Sequence, residues 1–281
     1  ADAALADGDG VRAEALFLCL ACLRAGAIYV PLNIAYRAAE LAYFIADAEP
    51  RVIVCDPGAQ GAIEEPARAA AVRRVLTLDE MGAGTLVTDS TGLQADFPDE
   101  PTNPDDIAAI LYTSGTTGRS KGAMLSHGNL SSNALTLHRA WGFRADDVLL
   151  HALPIFHMHG LFVASNCVLL NGTGMLFLHK FDADTVMRLL ERSTVFMGVP
   201  TFYTRLLSHD GFDRAACRTM RLFISGSAPL LDETFHAFQR RTGHTILERY
   251  GMTEAGMITS NPLDGARIAG SVGPPLPGIE V

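Results

Sequence analysis

A short loop rich in glycine and hydroxyl-bearing residues carries the clearest chemical signal in this sequence. It runs from Tyr112 to Gly122 as YTSGTTGRSKG. Glycines lack a Cβ, so their backbone N–H groups can close around an anion. The Ser/Thr hydroxyls and the Lys121 ammonium add further donors and a positive charge. The loop therefore predicts a phosphate-binding site and ATP chemistry.

The spacing in this loop differs from that of the common P-loop, which needs Gly directly before its lysine and Ser or Thr directly after it. Here Ser120 precedes Lys121 and Gly122 follows it. A different class of nucleotide enzyme is therefore expected. The alternative is a polar surface turn with a solvated lysine.

Three further segments follow in order: LPIFHMHG at 153–160, SGSAPL at 225–230 and ERYGMTE at 248–254. Together with the loop they resemble the substrate gate, adenine pocket and Mg-nucleotide motif of the adenylate-forming superfamily. That superfamily contains acyl-CoA synthetases, luciferases and the adenylation domains of peptide synthetases. LRAGAIYVPL at 23–32 resembles its early structural motif, so the similarity covers nearly the whole chain. Within the superfamily, the chain resembles malonyl-CoA synthetases most.

The resemblance implies a reaction in two steps. A carboxylate attacks the α-phosphate of ATP to give an acyl-adenylate and pyrophosphate, and the thiol of CoA then displaces AMP to give a thioester. Because carboxylate and triphosphate repel each other, the site must neutralise the phosphates and align the reacting groups. The expected ligands are ATP, Mg²⁺, coenzyme A and a small carboxylic acid.

The resemblance also assigns roles to residues. The β- and γ-phosphates would be held by Thr113, Ser114, Gly115, Thr116, Thr117, Gly118 and Lys121. Thr253 would contact the α-phosphate, and Glu254 would bind Mg²⁺, which prefers oxygen ligands. The adenine site would comprise Gly226, Ser227, Ala228, Pro229, Tyr250 and Gly251. The catalytic residues would be Lys121, His157, Thr253 and Glu254. One departure is Ser120, where most relatives have proline, which alters loop stiffness more than charge.

The histidines of the second segment allow three interpretations. His157 and His159, with His151 nearby, have i,i+2 spacing without accompanying carboxylates, so they make a weak metal site. They could be packing histidines, or a gate between the acid and nucleotide pockets. Peptide-synthetase domains usually carry Asp near this point, so His157 favours acyl-CoA synthesis.

Arg249 bears on the choice of acid. Many relatives have an uncharged residue at this place, and a buried cation needs an anion. Pairing with Glu248 is geometrically poor, because adjacent strand residues point to opposite faces. A second carboxylate on the substrate would satisfy Arg249 bidentately, which favours malonate or methylmalonate. Met252 is a further candidate for substrate binding. Arg267 resembles another arginine of malonate-activating relatives, with an isolated surface residue as the alternative.

Composition agrees with a globular enzyme. The 281 residues are 48% hydrophobic and 19% charged, enough for a large core. The net charge of -9 disfavours nucleic-acid binding, and the longest apolar run, at 15–23, is too short to span a membrane. The first ten residues lack the positive charge of a secretion signal. We therefore predict a cytoplasmic protein.

The five cysteines include one C-x-x-C pair, Cys19 and Cys22, inside an apolar helical segment. An offset of three residues places both on one helix face. No second pair exists to complete a zinc site, so buried core cysteines are expected.

Strand-like runs alternate with helical patterns, which is typical of an α/β fold with largely parallel sheets. Helices are predicted at 11–25, 37–47, 61–71, 130–141, 161–170, 182–192, 201–207 and 231–241. Strands are predicted at 27–31, 51–55, 74–78, 107–112, 148–152, 175–178, 194–197, 221–225 and 245–248. Four of these strands end just before a motif, where open α/β sheets bind ligands.

The resemblance further implies the large N-terminal domain of the adenylate-forming fold, with stacked, mostly parallel sheets and helices between them. We predict a first α/β subdomain at 1–100, including part of an exposed linker at 79–106, and a second at 101–281 with the phosphate loop and acid pocket. The chain is expected to be truncated before the barrel subdomain and the C-terminal lid. Without the lid it should make little or no acyl-CoA.

Two other functions stay open. A monocarboxylate-CoA ligase or luciferase-like enzyme would keep every ATP motif but leave Arg249 without a dicarboxylate. A non-catalytic fragment would bind nucleotide without pyrophosphate exchange.

Overall fold

The computed structural model describes residues 3–7, 13–113 and 119–281, with the backbone alone at 3–7. The chain divides into two compact units. The first comprises Ala1–Gly128 and Ile155–His157, and the second comprises Asn129–Pro154 and Met158–Val281.

The first unit is built on a sheet of six described strands. These are β1 Ala3–Asp7, β2 Tyr29–Asn33, β3 Val52–Cys55, β4 Arg74–Thr77, β5 Ile107–Thr113 and β6 Lys121–Ser126. Its helices are α1 Ala13–Arg24, α2 Ala38–Ala48, α3 Gln60–Ala69 and α4 Thr85–Ser90. The strand order is β4-β3-β1-β2-β5-β6, and every neighbouring pair is parallel except the antiparallel pair β5–β6.

Helix α2 shows why the first unit folds as it does. Its buried residues are Leu41, Phe44, Ile45 and Ala48, and this i, i+3, i+4, i+7 spacing forms one apolar stripe. The stripe packs into a core with Val30 and Leu32 of β2 and with Ile53 and Cys55 of β3. The helix ends at Ala48, and the residue that caps it, Glu49, has a left-handed φ of 46°.

The second unit has a second sheet of six described strands. These are β7 Val148–His151, β8 Gly174–Phe177, β9 Val195–Gly198, β10 Leu222–Ser225, β11 Leu247–Met252 and β12 Gly256–Ser260. The helices are α5 His127–Ala140, whose first two residues belong to the first unit, α6 Ser165–Asn171, α7 Ala183–Leu190, α8 Pro200–Leu207 and α9 Asp232–Thr242, and a π-helix covers His159–Ala164. The order is β12-β11-β10-β9-β7-β8, with only β11–β12 antiparallel. All residues of the central strands β9 and β10 are buried.

The α/β class with mostly parallel sheets is confirmed, while several details differ from the sequence-based prediction. β11 does not end at Glu248 but continues to Met252, because it pairs with the unpredicted strand β12. The predicted helix at 161–170 begins as a π-helix. Strands β1 and β6 and helix α4 were also not predicted. Strands β5 and β6 complete the first sheet, so the predicted division at residue 100 lies inside the first unit.

The cysteines are buried and free, as expected for core residues. In the part of the chain that the structure describes, no group of three or more His, Cys, Asp and Glu side chains could hold a metal ion. Over the same residues, every helix is too short or too polar to cross a bilayer.

One carboxylate joins the starts of three parallel strands in the second unit. Asp147 lies directly before β7, and its Oδ1 accepts hydrogen bonds from the Thr194 hydroxyl (2.8 Å) and from Arg221 Nε (2.7 Å). Thr194 and Arg221 directly precede β9 and β10. Arg221 Nη2 forms a second bond to Asp147 Oδ2, which also accepts from Arg144 N (2.7 Å).

The charge on Asp147 is stabilised by these donors. Burial raises its pKa, but the hydrogen bonds from Arg221, Arg144 and Thr194 outweigh that effect and leave the pKa below its ordinary value. A carboxyl group whose pKa is lowered in the folded state stabilises the fold at pH values above the pKa that it has in the unfolded chain. That contribution is lost as the pH falls through the folded-state pKa.

We therefore expect Asp147→Ala to lower the free energy of unfolding at pH 7 by about 3–5 kcal/mol, because it leaves Arg221 without its buried partner. The control is Glu191→Ala, which removes an exposed pair with Arg218 whose side chains are 60% and 63% exposed. It should cost about 1 kcal/mol or less. Denaturant melts at pH 7 and pH 4 test both variants. A loss at Asp147 as small as that at Glu191 would contradict the assignment.

Candidate functional site

The phosphate loop of the first unit joins β5 to β6. Thr113 ends β5 and Lys121 begins β6, and the two residues are paired in the antiparallel ladder. The predicted phosphate ligands Ser114, Gly115, Thr116, Thr117 and Gly118 lie outside the described residues. The Lys121 side chain is exposed to solvent.

Both ends of this loop are fastened to helix α2. The Tyr112 hydroxyl donates to Asp47 Oδ2 (2.6 Å), and the Tyr43 hydroxyl donates to the Ser120 carbonyl (2.9 Å). The Arg119 guanidinium lies 5.8 Å from the centre of the Tyr43 ring. Burial and the bond to Asp47 raise the pKa of Tyr112, so it remains a neutral donor. The sequence alone does not indicate Tyr43 and Asp47, because no motif marks a contact that spans 65 or 77 positions.

Three motifs follow or lie on strands of the second unit at the carboxyl edge of its sheet, although Ile155–His157 of the gate segment belong to the first unit. The gate segment follows β7, the adenine segment follows β10, and the Mg-nucleotide motif lies on β11 and the turn after it. These three strands are parallel, so their carboxyl ends meet at one edge, as predicted for an open α/β sheet.

The gate segment is held by hydrogen bonds within the second unit. The carbonyl of Gly160 accepts from His151 Nε2 (2.9 Å) and from the Ser165 hydroxyl (3.0 Å). Burial lowers the pKa of His151 to about 4, so the ring is neutral at physiological pH. His151 is therefore a packing histidine that fixes the backbone of the gate.

The other two histidines of the gate lie in different environments. His159 is buried, and its Nδ1 is 3.2 Å from the Ser227 hydroxyl, which joins the gate to the adenine segment. Ser227 has a φ of 70°, a backbone conformation that non-glycine residues seldom adopt. His157 belongs to the first unit, is exposed, and contacts Phe156 with the two rings tilted and their centres 4.4 Å apart.

Arg249 is the most unusual residue of the second unit. It lies on β11 with 2% of its surface exposed. Its Nε and Nη2 have no hydrogen-bond partner among the described residues. Burial lowers the pKa of the guanidinium to about 10, so it still carries its charge at neutral pH. Arg249 is thus a buried cation with two unused donors.

Gly226 makes room for this guanidinium. A Cβ built at Gly226 would lie 2.6 Å from both Nε and Nη1 of Arg249, which is too close for any real side chain. Gly226 itself is buried, whereas Ser227, Ala228 and Pro229 are exposed. The adenine segment therefore presents one face to Arg249 and another to solvent.

The neighbouring Glu248 does not neutralise Arg249. It is buried on the same strand, and its Oε1 accepts from the backbone N–H of Leu230 (3.0 Å). Burial raises the pKa of Glu248. Strand alternation separates the two side chains, as the sequence analysis expected.

The predicted α-phosphate and magnesium ligands lie on the tight turn between β11 and β12. Met252 pairs with Gly256 across the ladder, so Thr253, Glu254 and Ala255 form the loop. Glu254 is exposed, and Thr253 is half-buried. One carboxylate suits Mg²⁺, which usually takes one or two carboxylates and completes its coordination with water and substrate phosphates. Tyr250 and Met252 are 48% and 43% exposed.

Arg267 has a different environment. Its Nη1 donates to the carbonyl of Thr245 (2.6 Å), its Nη2 to that of Leu263 (2.8 Å) and its Nε to that of Pro262 (3.1 Å). These contacts occupy all three nitrogens and fasten a loop. They favour a structural role for Arg267 over the predicted contact with substrate.

With this geometry, comparison with known proteins identifies the class. The chain belongs to the AMP-binding enzyme family, whose model matches residues 10–281. It is 36% identical to the mitochondrial malonate–CoA ligase ACSF3 of Bos taurus, over 99% of this chain and 51% of that protein. The chain thus spans about half the length of the curated relatives it matches.

Solved structures give the same result. The ATP-bound crystal structure of MatB from Rhodopseudomonas palustris matches with a TM-score of 0.95 and 54% identity, over 99% of this chain and 55% of that one. A malonyl-CoA ligase complex with methylmalonyl-CoA and AMP matches with a TM-score of 0.84 and 33% identity, over 99% of this chain and 57% of that one.

The fastening of the phosphate loop is testable. Tyr43→Phe removes only the hydroxyl that donates to Ser120, and we expect it to weaken MgATP binding about fivefold, equivalent to roughly 1 kcal/mol for one hydrogen bond. Tyr36→Phe is the matched control, because the Tyr36 ring also packs on α2, 4.7 Å from Phe44. Calorimetric titration measures both affinities. Equal affinities for the two variants would show that the hydroxyl does not fix the loop.

Proposed function

We propose that a full-length enzyme carrying this sequence activates malonate, or its methyl derivative, with ATP and transfers the acyl group to coenzyme A. The buried Arg249 is the observation that supports this choice of acid. The names of the relatives support the same reaction class, since they are malonate–CoA ligases and a malonyl-CoA ligase.

The charge of Arg249 favours an acid with a second carboxylate. A buried charge without a partner costs several kcal/mol, and a bound anion would offset that cost. Nε and Nη2 lie on the same side of the planar guanidinium and can donate in parallel to the two oxygens of one carboxylate. Both of these donors are unused among the described residues. A three-carbon diacid would place its non-reacting carboxylate on this edge and its other carboxylate towards ATP.

A monocarboxylate would leave the same site unsatisfied. Acetate or propionate could enter the chemistry at its reacting end but would bury a methyl group against the guanidinium. A site built to bind a polar group rejects an analogue that lacks it far more strongly than an apolar pocket rejects one methylene group. Arg249 therefore favours a dicarboxylate-CoA ligase over the monocarboxylate alternative.

In the first step, an oxygen of the reacting carboxylate would form a bond to the α-phosphorus while the bond to the β-phosphate oxygen breaks and pyrophosphate leaves. Lys121 would neutralise the β- and γ-phosphates, and Thr253 would donate to the α-phosphate. Glu254 would hold Mg²⁺, which neutralises phosphate charge when bound. Exposed Tyr250 would stack on adenine, and His157 would act as the gate between the acid and nucleotide pockets. In the second step, the CoA sulfur would attack the acyl carbon and AMP would leave.

The role of Lys121 predicts a loss specific to ATP. Lys121→Ala should lower malonate-dependent pyrophosphate exchange by about 10²-fold, which is the effect of losing one donor to the transition state. Most of the loss should appear as a higher KM for MgATP. The control is Lys180→Ala, the chain's other lysine, which is also exposed. If both variants exchange pyrophosphate like the unmodified enzyme, Lys121 does not contact the phosphates.

The role of Arg249 predicts a loss specific to the diacid. Arg249→Ala should reduce kcat/KM for malonate by about 10²- to 10⁴-fold, from the roughly 3–5 kcal/mol for breaking a buried charge pair. Use of acetate or propionate should fall much less. The control is Arg240→Ala, because Arg240 is exposed on α9. An equal loss for mono- and dicarboxylates would reassign Arg249 to nucleotide binding or to structure.

A second variant separates function from folding. Arg249→Met keeps most of the side-chain volume and removes the unpaired charge, so the ligand-free protein should melt at the same temperature or higher. A lower melting temperature would show that Arg249 stabilises the fold through contacts of its own.

A further inference from the structure

Asn133 of helix α5 binds the backbone of a strand far away in sequence. Its Nδ2 donates to the carbonyl of Met257 (3.1 Å), and the backbone N–H of Met257 donates to its Oδ1 (3.2 Å). A side-chain amide that pairs with both polar groups of one residue replaces a neighbouring strand. Asparagine is a poor residue for the interior of a helix, so the sequence alone gives Asn133 no obvious purpose.

The position of Met257 makes this contact significant. β12 lies at the edge of the described sheet, so its outer N–H and C=O groups need other partners. In the middle and at the far end of β12, Leu276 N donates to the Ile258 carbonyl (2.8 Å), and Ser260 N donates to the Pro274 carbonyl (3.1 Å). At the end nearest the turn, Asn133 supplies the partners instead.

Gly256 adds a second, independent constraint. Its φ of 68° is left-handed, which suits the residue that closes a three-residue hairpin loop. A Cβ built there would lie 2.8 Å from Cγ and 2.9 Å from Oδ1 of Asn133. The amide is therefore packed directly on the backbone of the glycine that ends the turn. It fixes one arm of the loop that carries Thr253 and Glu254.

We propose that Asn133 is a positioning residue for MgATP, acting through the turn from Met252 to Gly256. The inference rests on the proposed function, because it takes Thr253 and Glu254 as the nucleotide and Mg²⁺ ligands. Gly251 and Gly256 flank the turn and give it little stiffness of its own. The two hydrogen bonds between the Asn133 amide and the Met257 backbone hold the Thr253 hydroxyl and the Glu254 carboxylate in place.

The proposal predicts a selective kinetic effect. Displacing a catalytic group by about 1 Å can cost on the order of 10²-fold in rate. We expect Asn133→Ala to raise the KM for MgATP and the Mg²⁺ concentration for half-maximal activity about tenfold each, with the KM for malonate changed by less than about twofold. Asn133→Asp should be at least as damaging, because a carboxylate cannot donate to the Met257 carbonyl.

The experiment uses a full-length enzyme carrying this sequence and follows malonate-dependent pyrophosphate exchange. MgATP, free Mg²⁺ and malonate are titrated separately for the unmodified enzyme, Asn133→Ala, Asn133→Asp and Glu254→Gln. Arg139→Ala is the control, since Arg139 is exposed on the same helix. If Asn133 acts through the turn, the double variant Asn133→Ala/Glu254→Gln should need little more Mg²⁺ for half-maximal activity than Glu254→Gln alone.

The outcomes separate the two proposals. If the unmodified enzyme shows no malonate-dependent exchange, the proposed function is wrong. The role of Asn133 is then tested by calorimetric titration with MgATP, in which Asn133→Ala should still bind about tenfold more weakly. Unchanged MgATP and Mg²⁺ dependence in Asn133→Ala would overturn the positioning role. Equal losses for MgATP and malonate, or full additivity with Glu254→Gln, would also overturn it.

Discussion

The second unit depends on one carboxylate at the amino edge of its sheet. Asp147 binds Thr194 and Arg221, so the residues that precede β7, β9 and β10 share a single anchor. Strands that start together and run parallel end at positions fixed by their lengths. The gate and adenine segments follow two of these strands. The anchor therefore lies at one edge of the sheet and determines geometry at the opposite edge.

Three buried or half-buried arginines of this unit have three different sets of hydrogen-bond partners. Arg221 is paired with a carboxylate, and Arg267 donates to three backbone carbonyls. Arg249 is the most deeply buried of them and has two nitrogens without partners among the described residues. Proteins satisfy buried charges wherever structure alone is at stake. The contrast within one unit is therefore stronger support for a ligand at Arg249 than burial alone.

The sequence predicted much of the fold and only part of the candidate site. Predicted elements such as 51–55 and 231–241 lie within a few residues of β3 and α9, because their apolar periodicity is strong. β6 and β12 were missed because their pairing partners, rather than their own patterns, make them strands. Motifs singled out Arg249 and the turn at Thr253 as candidates, whereas Tyr43 and Asn133 make contacts between distant positions that no single-sequence pattern records.

The extension of β11 through its motif has a consequence for how such an enzyme can change. Successive side chains of a strand point to opposite faces, so Arg249 is 2% exposed while Tyr250 is 48% exposed. The residue proposed to select the acid and the residue proposed to stack on the nucleotide are adjacent in sequence but separated by the backbone. Divergence or engineering can thus replace the side chain at position 249 and change the choice of acid. The aromatic ring of Tyr250 would stay in place on the other face of the sheet.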